Sequence, residues 1–77
     1  MNKQRRKSLE SIISELETLR DEIETLQNEE QESFDNMPES LQGTERGETM
    51  EENINDLESG VSDLDDIISN LLEIVER

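Results

Sequence analysis

The sequence predicts an all-α fold: an antiparallel two-helix coiled-coil hairpin that dimerises into a four-helix bundle. In both halves of the chain, apolar residues recur in alternating steps of three and four, the spacing of a coiled-coil seam. Between the halves, residues 35–47 hold the only proline and two of the three glycines. The two seams can also be paired about one point, residue 40, inside that stretch. We therefore treat residues 1–77 as one hairpin domain.

Helix 1 is predicted to span about residues 3–35. Its seam weakens after three heptads, because Glu30 occupies the next core position. The predicted seam residues are Leu9, Ile12, Leu16, Leu19, Ile23 and Leu26.

The turn is predicted at about residues 36–44 and helix 2 at about 45–76. Either Thr44 or Thr49 is a suitable N-cap, the latter as part of a capping box with Glu52. Gly60 lies inside helix 2, where it lowers helix stability by about 1 kcal/mol and permits a close helix approach. The predicted seam residues are Met50, Ile54, Leu57, Val61, Leu64, Ile68, Leu71 and Val75.

Pairing the seams places Leu26 opposite Ile54 at the turn and Leu9 opposite Leu71 at the open end. The charges favour the same arrangement. The basic start of helix 1 then lies beside Glu73 and Glu76, near the carbonyl end of helix 2. Alone, helix 1 would oppose its own macrodipole, so its charge placement favours a hairpin.

Four further apolar residues lie beside the seams at the open end. A two-helix hairpin buries only one stripe per helix, and widening the stripe is typical of four-helix bundles. We therefore predict that the chain binds a second copy of itself there; the alternative is a monomer with a larger local core. The predicted dimer-interface residues are Ile13, Ile67, Leu72 and Ile74.

The turn carries its own cluster of distinctive residues, with two possible roles. They can close the end of the hairpin core, with Pro38 starting a short helical turn and Gly43 ending it. Alternatively, they form a docking loop for a partner. Arg46 is expected to pair with Asp35, Glu32 or Glu30. The turn residues singled out are Phe34, Met37, Pro38, Leu41, Gly43 and Arg46.

Composition argues against most chemistry. The chain has no Cys and no His, which removes thiol nucleophiles, thiolate ligands and the usual general base. We predict no catalytic residues, no metal and no cofactor. No run of 18 apolar residues is present, which argues against a membrane span, and no apolar signal core follows the basic residues 1–7. The expected location is the cytoplasm.

The net charge of −15 is unevenly distributed, because residues 1–7 carry +4 and the remainder carries −19. Such a body repels nucleic acid and attracts basic protein surfaces, including those that hold DNA or RNA. The alternative is a solvated face that keeps a small bundle soluble. The predicted partner-binding acidic surface at the hairpin tip comprises Glu29, Glu30, Glu32, Asp35, Glu45, Glu48, Glu51 and Glu52.

The basic run at the start is the chain's possible anion contact. Its four cations are Lys3, Arg5, Arg6 and Lys7. They could hold a phosphate group, or they could compensate the acidic end of helix 2, which is the interpretation we favour.

Residues 35–40 (DNMPES), followed by Gln42 and residues 44–48 (TERGE), lie between acidic heptad helices, and residues 2–7 read NKxxRK. In these features nearly the whole chain resembles a group of small uncharacterised acidic helical-hairpin proteins encoded by phages and prophages of Gram-positive bacteria. The resemblance implies a helical hairpin of phage origin and supplies no activity or site residues.

Three functions are compatible with these features. The first is a non-catalytic acidic protein that inhibits a host defence or nucleic-acid-processing protein by mimicking nucleic-acid phosphates. The second is a structural or adaptor coiled coil. The third is an oligomeric sponge that holds an anionic signalling nucleotide at its basic ends.

Overall fold

A computed structural model describes residues 1–77 and consists of three helices, α1 (Lys3–Asp35), α2 (Glu39–Gln42) and α3 (Glu45–Glu76). The long helices α1 and α3 pack against each other along the molecule, which measures 59 × 15 × 13 Å between Cα atoms. A 33-residue helix is about 50 Å long, so a rod of this length holds both helices only side by side. The connection, residues 36–44, is too short to return along the rod, so the two helices are antiparallel. The predicted helical hairpin is confirmed.

The ends of α1 follow from local chemistry. The Asn2 side chain caps its start, because Oδ1 accepts a hydrogen bond of 2.8 Å from the Arg5 amide. Its end is fixed by Pro38, whose ring disfavours helical backbone at the preceding Met37. The Asn36 amide still donates to the Glu32 carbonyl at 3.0 Å, and the helix then stops.

The turn is held by Gln42. Its Nε2 donates to the Phe34 carbonyl at 3.2 Å and to the Met37 carbonyl at 3.1 Å, so the end of α1 is tied to α2. The short helix α2 begins after Pro38 and ends at Gly43, as the sequence predicts.

The start of α3 packs tightly onto α2. Thr44 is its N-cap residue, and the alternative cap, Thr49, lies inside the helix. Gly47 is buried, and a Cβ atom there would overlap the Gln42 carbonyl oxygen. Only glycine allows this approach of the two helices.

The core is one thin seam. Its buried apolar residues are Ile13, Ile54 and Ile68. Every seam residue predicted for the second long helix is buried or half-buried in α3, so that seam is confirmed.

The predicted seam of α1 is wrong at every second position. Leu9, Leu16 and Ile23 are half-buried as expected. Ile12, Leu19 and Leu26 are 49%, 51% and 55% exposed, and the following residue in each case lies closer to α3.

The observed seam of α1 passes instead through Ile13, Arg20, Gln27 and Phe34. This choice has a physical reason. The heptad that contains Leu19 and Leu26 meets no apolar residue after Leu26, whereas the observed heptad continues through Phe34 into the turn. The structure accepts two polar seam positions in α1 and keeps a continuous contact between the helices.

Gly60 was expected to permit a close approach between the helices of the hairpin. That expectation is wrong, because no side-chain or distant backbone atom lies within 4 Å of a Cβ built at this position. No helix of the structure combines the length and the hydropathy that a membrane crossing requires.

Candidate functional site

The two sides of the hairpin differ in chemistry. On one side, which we call the apolar face, the residues flanking the seam carry no acidic group. They are Ile12, Leu19, Leu26 and Ser33 of α1 and Asn53, Gly60, Ile67 and Ile74 of α3. Leu26, Ser33 and Asn53 line one shallow groove, which places the two rows on the same side of the rod. Three carboxylates border the same groove near the turn: Glu29, Glu30 and Asp56.

The opposite side, which we call the acidic face, is dominated by carboxylates. Its flanking residues are Glu10, Glu17, Glu24 and Gln31 of α1 and Glu51, Glu58, Asp65 and Leu72 of α3. Gln31 and Glu51 line a second groove there. The same hairpin therefore presents an apolar surface and an acidic surface on opposite sides.

The predicted acidic surface at the tip is open to solvent. Of its eight carboxylates only Glu30 is half-buried, and its Oε2 accepts a hydrogen bond of 2.9 Å from Asn53. Asp35 Oδ1 accepts one of 3.0 Å from Gln31. No carboxylate of this group forms an ion pair, so the charge of the tip is not neutralised within the chain.

Both ion pairs of the structure involve Arg20. Its guanidinium contacts Asp65 at 2.9 Å across the hairpin and Asp21 at 3.1 Å. The hydrogen bond to Asp65, and to a smaller extent the one to Asp21, raises the pKa of Arg20 above its ordinary value. Arg20 reaches this position from the seam, with an aliphatic stem near the core and a charged head at the surface.

Arg46 does not form the expected ion pair. It is exposed and forms no ion pair with Asp35, Glu32 or Glu30, so the prediction of a loop clamp is wrong. The turn is held by neutral hydrogen bonds from Gln42, which sequence reasoning did not single out.

The other turn residues separate into two groups. Phe34 and Met37 are half-buried and extend the seam into the turn, as core-closing residues do. Leu41 is 48% exposed. The turn therefore presents one apolar side chain to solvent rather than a cluster.

The basic end is largely unpaired. Lys3, Arg5 and Lys7 are exposed, and Arg6 is half-buried with an Nε that has no hydrogen-bond partner. None of the four forms an ion pair with Glu73 or Glu76, although the open end of the hairpin brings the two helix termini together.

The four residues predicted for the dimer interface do not share one surface. Ile13 is only 3% exposed and lies in the seam, so its expected place beside the seam is wrong. Ile67, 47% exposed, and half-buried Ile74 belong to the apolar face. Leu72, 40% exposed, belongs to the acidic face.

Sequence reasoning missed the role of Ile12, Leu19 and Leu26 as a surface row. The signal that could have identified them is the position of Phe34 and Met37. Counting back in heptads from Phe34 leads to Gln27, Arg20 and Ile13, and counting back from Met37 leads to Ile23, Leu16 and Leu9. On that count Ile12, Leu19 and Leu26 flank the seam.

No group of three or more carboxylates is arranged to hold a metal ion. A scan of protein-family models and searches of curated proteins and solved structures find no match to this chain. The functional argument therefore depends on the two faces.

Proposed function

We propose that this chain is a non-catalytic acidic protein of phage origin that binds and inhibits a host defence or nucleic-acid-processing protein. Its carboxylates would occupy the basic surface on which the host protein holds nucleic acid. The proposed place of action is the cytoplasm of the host cell, and the proposed active form is a homodimer.

The observation that carries this proposal is the exposed and unneutralised charge. Of the 22 acidic residues only Glu17 and Glu30 are not fully exposed, and only Asp21 and Asp65 form ion pairs. A small domain needs a net charge of about 2–8 for solubility, and the chain carries −15. Self-repulsion of this size destabilises the compact state, which favours a use for the charge beyond solubility.

The spacing of the charge also fits. A net charge of −15 over a rod of 59 Å corresponds to about one negative charge per 4 Å, which is close to the spacing of about 3.4 Å along one DNA strand and wider than the spacing of about 1.7 Å along the duplex. The carboxylates are fixed on helices, so a basic groove could meet them without ordering a flexible tail.

The test begins with capture of partners from nuclease-treated bacterial lysate, elution in a salt gradient and identification by mass spectrometry. The expected partner is a nucleic-acid-processing protein whose complex with this chain is displaced by duplex DNA. Between about 50 and 200 mM salt, its affinity should fall more than tenfold, as for phosphate-binding surfaces.

Charge reversal locates the surface. Replacing Glu45, Glu48, Glu51 and Glu52 by Lys, all of which lie away from the apolar face, should abolish binding to that partner. All four are exposed and hydrogen-bond to no other side chain, so the fold should be retained. The matched control reverses four exposed acids near the open end that also lie away from the apolar face: Glu10, Asp66, Glu73 and Glu76. Unchanged binding of the tip variant, or equal losses in both, would refute the proposed surface.

A structural or adaptor role is the second candidate, and the exposed apolar row of α1 favours it. In that case the acidic surface maintains solubility, and partner binding resists salt. Replacing Leu19 would then matter more than reversing the tip charges.

A further inference from the structure

The apolar face is the feature that neither the fold nor the acidic surface explains. In α1, the polar Arg20 and Gln27 lie in the seam while the adjacent Leu19 and Leu26 are about half exposed. A hairpin that functioned alone would gain by the opposite arrangement, because burial of leucine stabilises a fold more than burial of arginine or glutamine.

The exposed surface area of the chain is large enough for a second copy to cover the apolar face. The chain exposes 5833 Å², whereas a compact monomer of 8.9 kDa exposes about 4,800 Å². The excess of about 1,000 Å² follows from the rod shape, 59 × 15 × 13 Å. Docking two rods side by side would offset it, because each partner in an interface of standard size buries about 800 Å². With three buried apolar residues, the hairpin also has less core than a domain of this length normally needs.

The row is symmetric about the middle of the rod. Leu19 is the midpoint of α1, and Ile12 and Leu26 lie one heptad away on either side. Gly60 lies at the midpoint of α3, with open space where a Cβ atom would be. A twofold axis through this point would bring the two Leu19 side chains together and set Ile12 of one copy against Leu26 of the other.

We propose that the apolar face is the self-association surface and that two copies dock there antiparallel, crossing at Leu19 and Gly60. This inference rests on the homodimer of the proposed function and specifies its face and orientation. Neighbouring helices are antiparallel in this bundle and also in one with parallel docking, so the placement of the charged ends is what favours the antiparallel orientation. The basic end of each copy lies beside the acidic tip of the other, and both acidic faces remain outside.

The rim of the apolar face makes the dimer sensitive to salt with a defined sign. Glu15, Glu22 and Glu29 follow one edge, and Asp56 and Asp63 follow the other. Carboxylates of the two copies approach one another along these edges, and salt screens their repulsion. Salt also screens the attraction between the basic end of each copy and the acidic tip of the other, but each copy carries a net charge of −15, so repulsion is the larger effect. Dimerisation should therefore strengthen as salt rises, the opposite of the behaviour expected for a basic partner.

The test is sedimentation equilibrium of the full chain. Wild type should be a dimer. Leu19→Glu should weaken association by at least about a hundredfold, because the two copies then bring one carboxylate each to the twofold axis. The matched control is Leu72→Glu, which changes an exposed leucine of the acidic face and should leave association unchanged. If circular dichroism shows Leu19→Glu to be unfolded, the uncharged Leu19→Gln is measured instead.

Orientation is tested with a spin label. The chain has no cysteine, so Glu73→Cys, on the outer surface of α3, gives a single labelled site. Antiparallel docking predicts a label separation of about 40–50 Å, and parallel docking a separation below about 30 Å.

A monomeric wild type would overturn the inference. The apolar face with its acidic rim would then be a surface that binds a different protein. A dimer broken by Leu72→Glu and not by Leu19→Glu would overturn the face while retaining the dimer. A short label separation would overturn the orientation. Loss of partner binding on reversing the tip charges, with the dimer intact, would separate the two proposals.

Discussion

The adjacent residues Ile12 and Ile13 give the sharpest test of the hairpin's packing. The heptad read from the apolar residues of helix 1 alone puts Ile12 in the seam, and the structure puts Ile13 there. Ile13 is 3% exposed and Ile12 is 49% exposed. Replacing each by alanine in turn compares the same chemical change at neighbouring positions of one helix.

The expected losses differ severalfold. A buried Ile→Ala substitution costs about 2–5 kcal/mol, and the thin core around Ile13 favours the lower end, about 2–3 kcal/mol. Ile12 has lost about half of its exposure, so its truncation costs about 0.5–1 kcal/mol, partly offset by the better helix propensity of alanine. For a chain of this length, Ile13→Ala should lower Tm by about 10–20 °C and Ile12→Ala by less than about 5 °C.

The assay is urea unfolding followed by circular dichroism at two protein concentrations. At about 1 µM the dimer contributes least, and the two losses should differ as stated. At higher concentration the loss for Ile12→Ala should grow, because this residue lies on the apolar face, whereas that for Ile13→Ala should keep its size. Equal losses, or a larger loss for Ile12→Ala at the lower concentration, would refute the seam of α1 described here.

The remaining predictions concern the turn, the helix ends and the charge. Gly47→Ala should lower the free energy of unfolding by about 1–3 kcal/mol because of the overlap with Gln42, whereas Gly60→Ala should raise it by up to about 1 kcal/mol in dilute solution; thermal unfolding of both variants checks the contrast. Asn2→Ala should cost about 1 kcal/mol and increase amide hydrogen exchange in the first turn of α1, whereas an unchanged exchange rate would show that the cap is not formed in solution. Raising salt from about 10 to 150 mM should raise Tm, because the net charge of −15 repels itself, and a fall in Tm would contradict that reasoning.

Much of the fold follows from the heptad spacing of apolar residues and from the proline and glycines of the turn. In α3, no second apolar row competes with the seam that begins at Met50, so one heptad assignment suffices. In α1, the residues Leu9, Leu16 and Ile23 belong equally to two heptads, and local apolar content favours the wrong one. What decides between them is the continuation through Phe34 into the turn, a contact between distant parts of the fold.

The candidate site was predictable in composition and only partly in arrangement. The carboxylates of the tip are exposed, as a charged helix surface should be. The sequence does not show which cation finds a partner. Arg20 pairs with Asp65 because the seam carries its stem across to α3, whereas Arg46 lies outside that seam and pairs with none.

A dimer would account for the placement of apolar and acidic residues on opposite sides of the hairpin. The residues that flank the seam on the apolar face are uncharged, so their burial removes apolar surface from water. The carboxylates of this side lie along its edges, at the rim of the interface rather than at its centre. The acidic face carries its carboxylates on the far side, where a second copy does not cover them. Self-association would then stabilise a hairpin whose own core is thin, and it would display two acidic faces on opposite sides of one bundle. The polar Arg20 and Gln27 in the seam of α1 reduce the apolar core of the single hairpin. In return, Leu19 and Leu26 remain at the surface, where the partner copy can bury them.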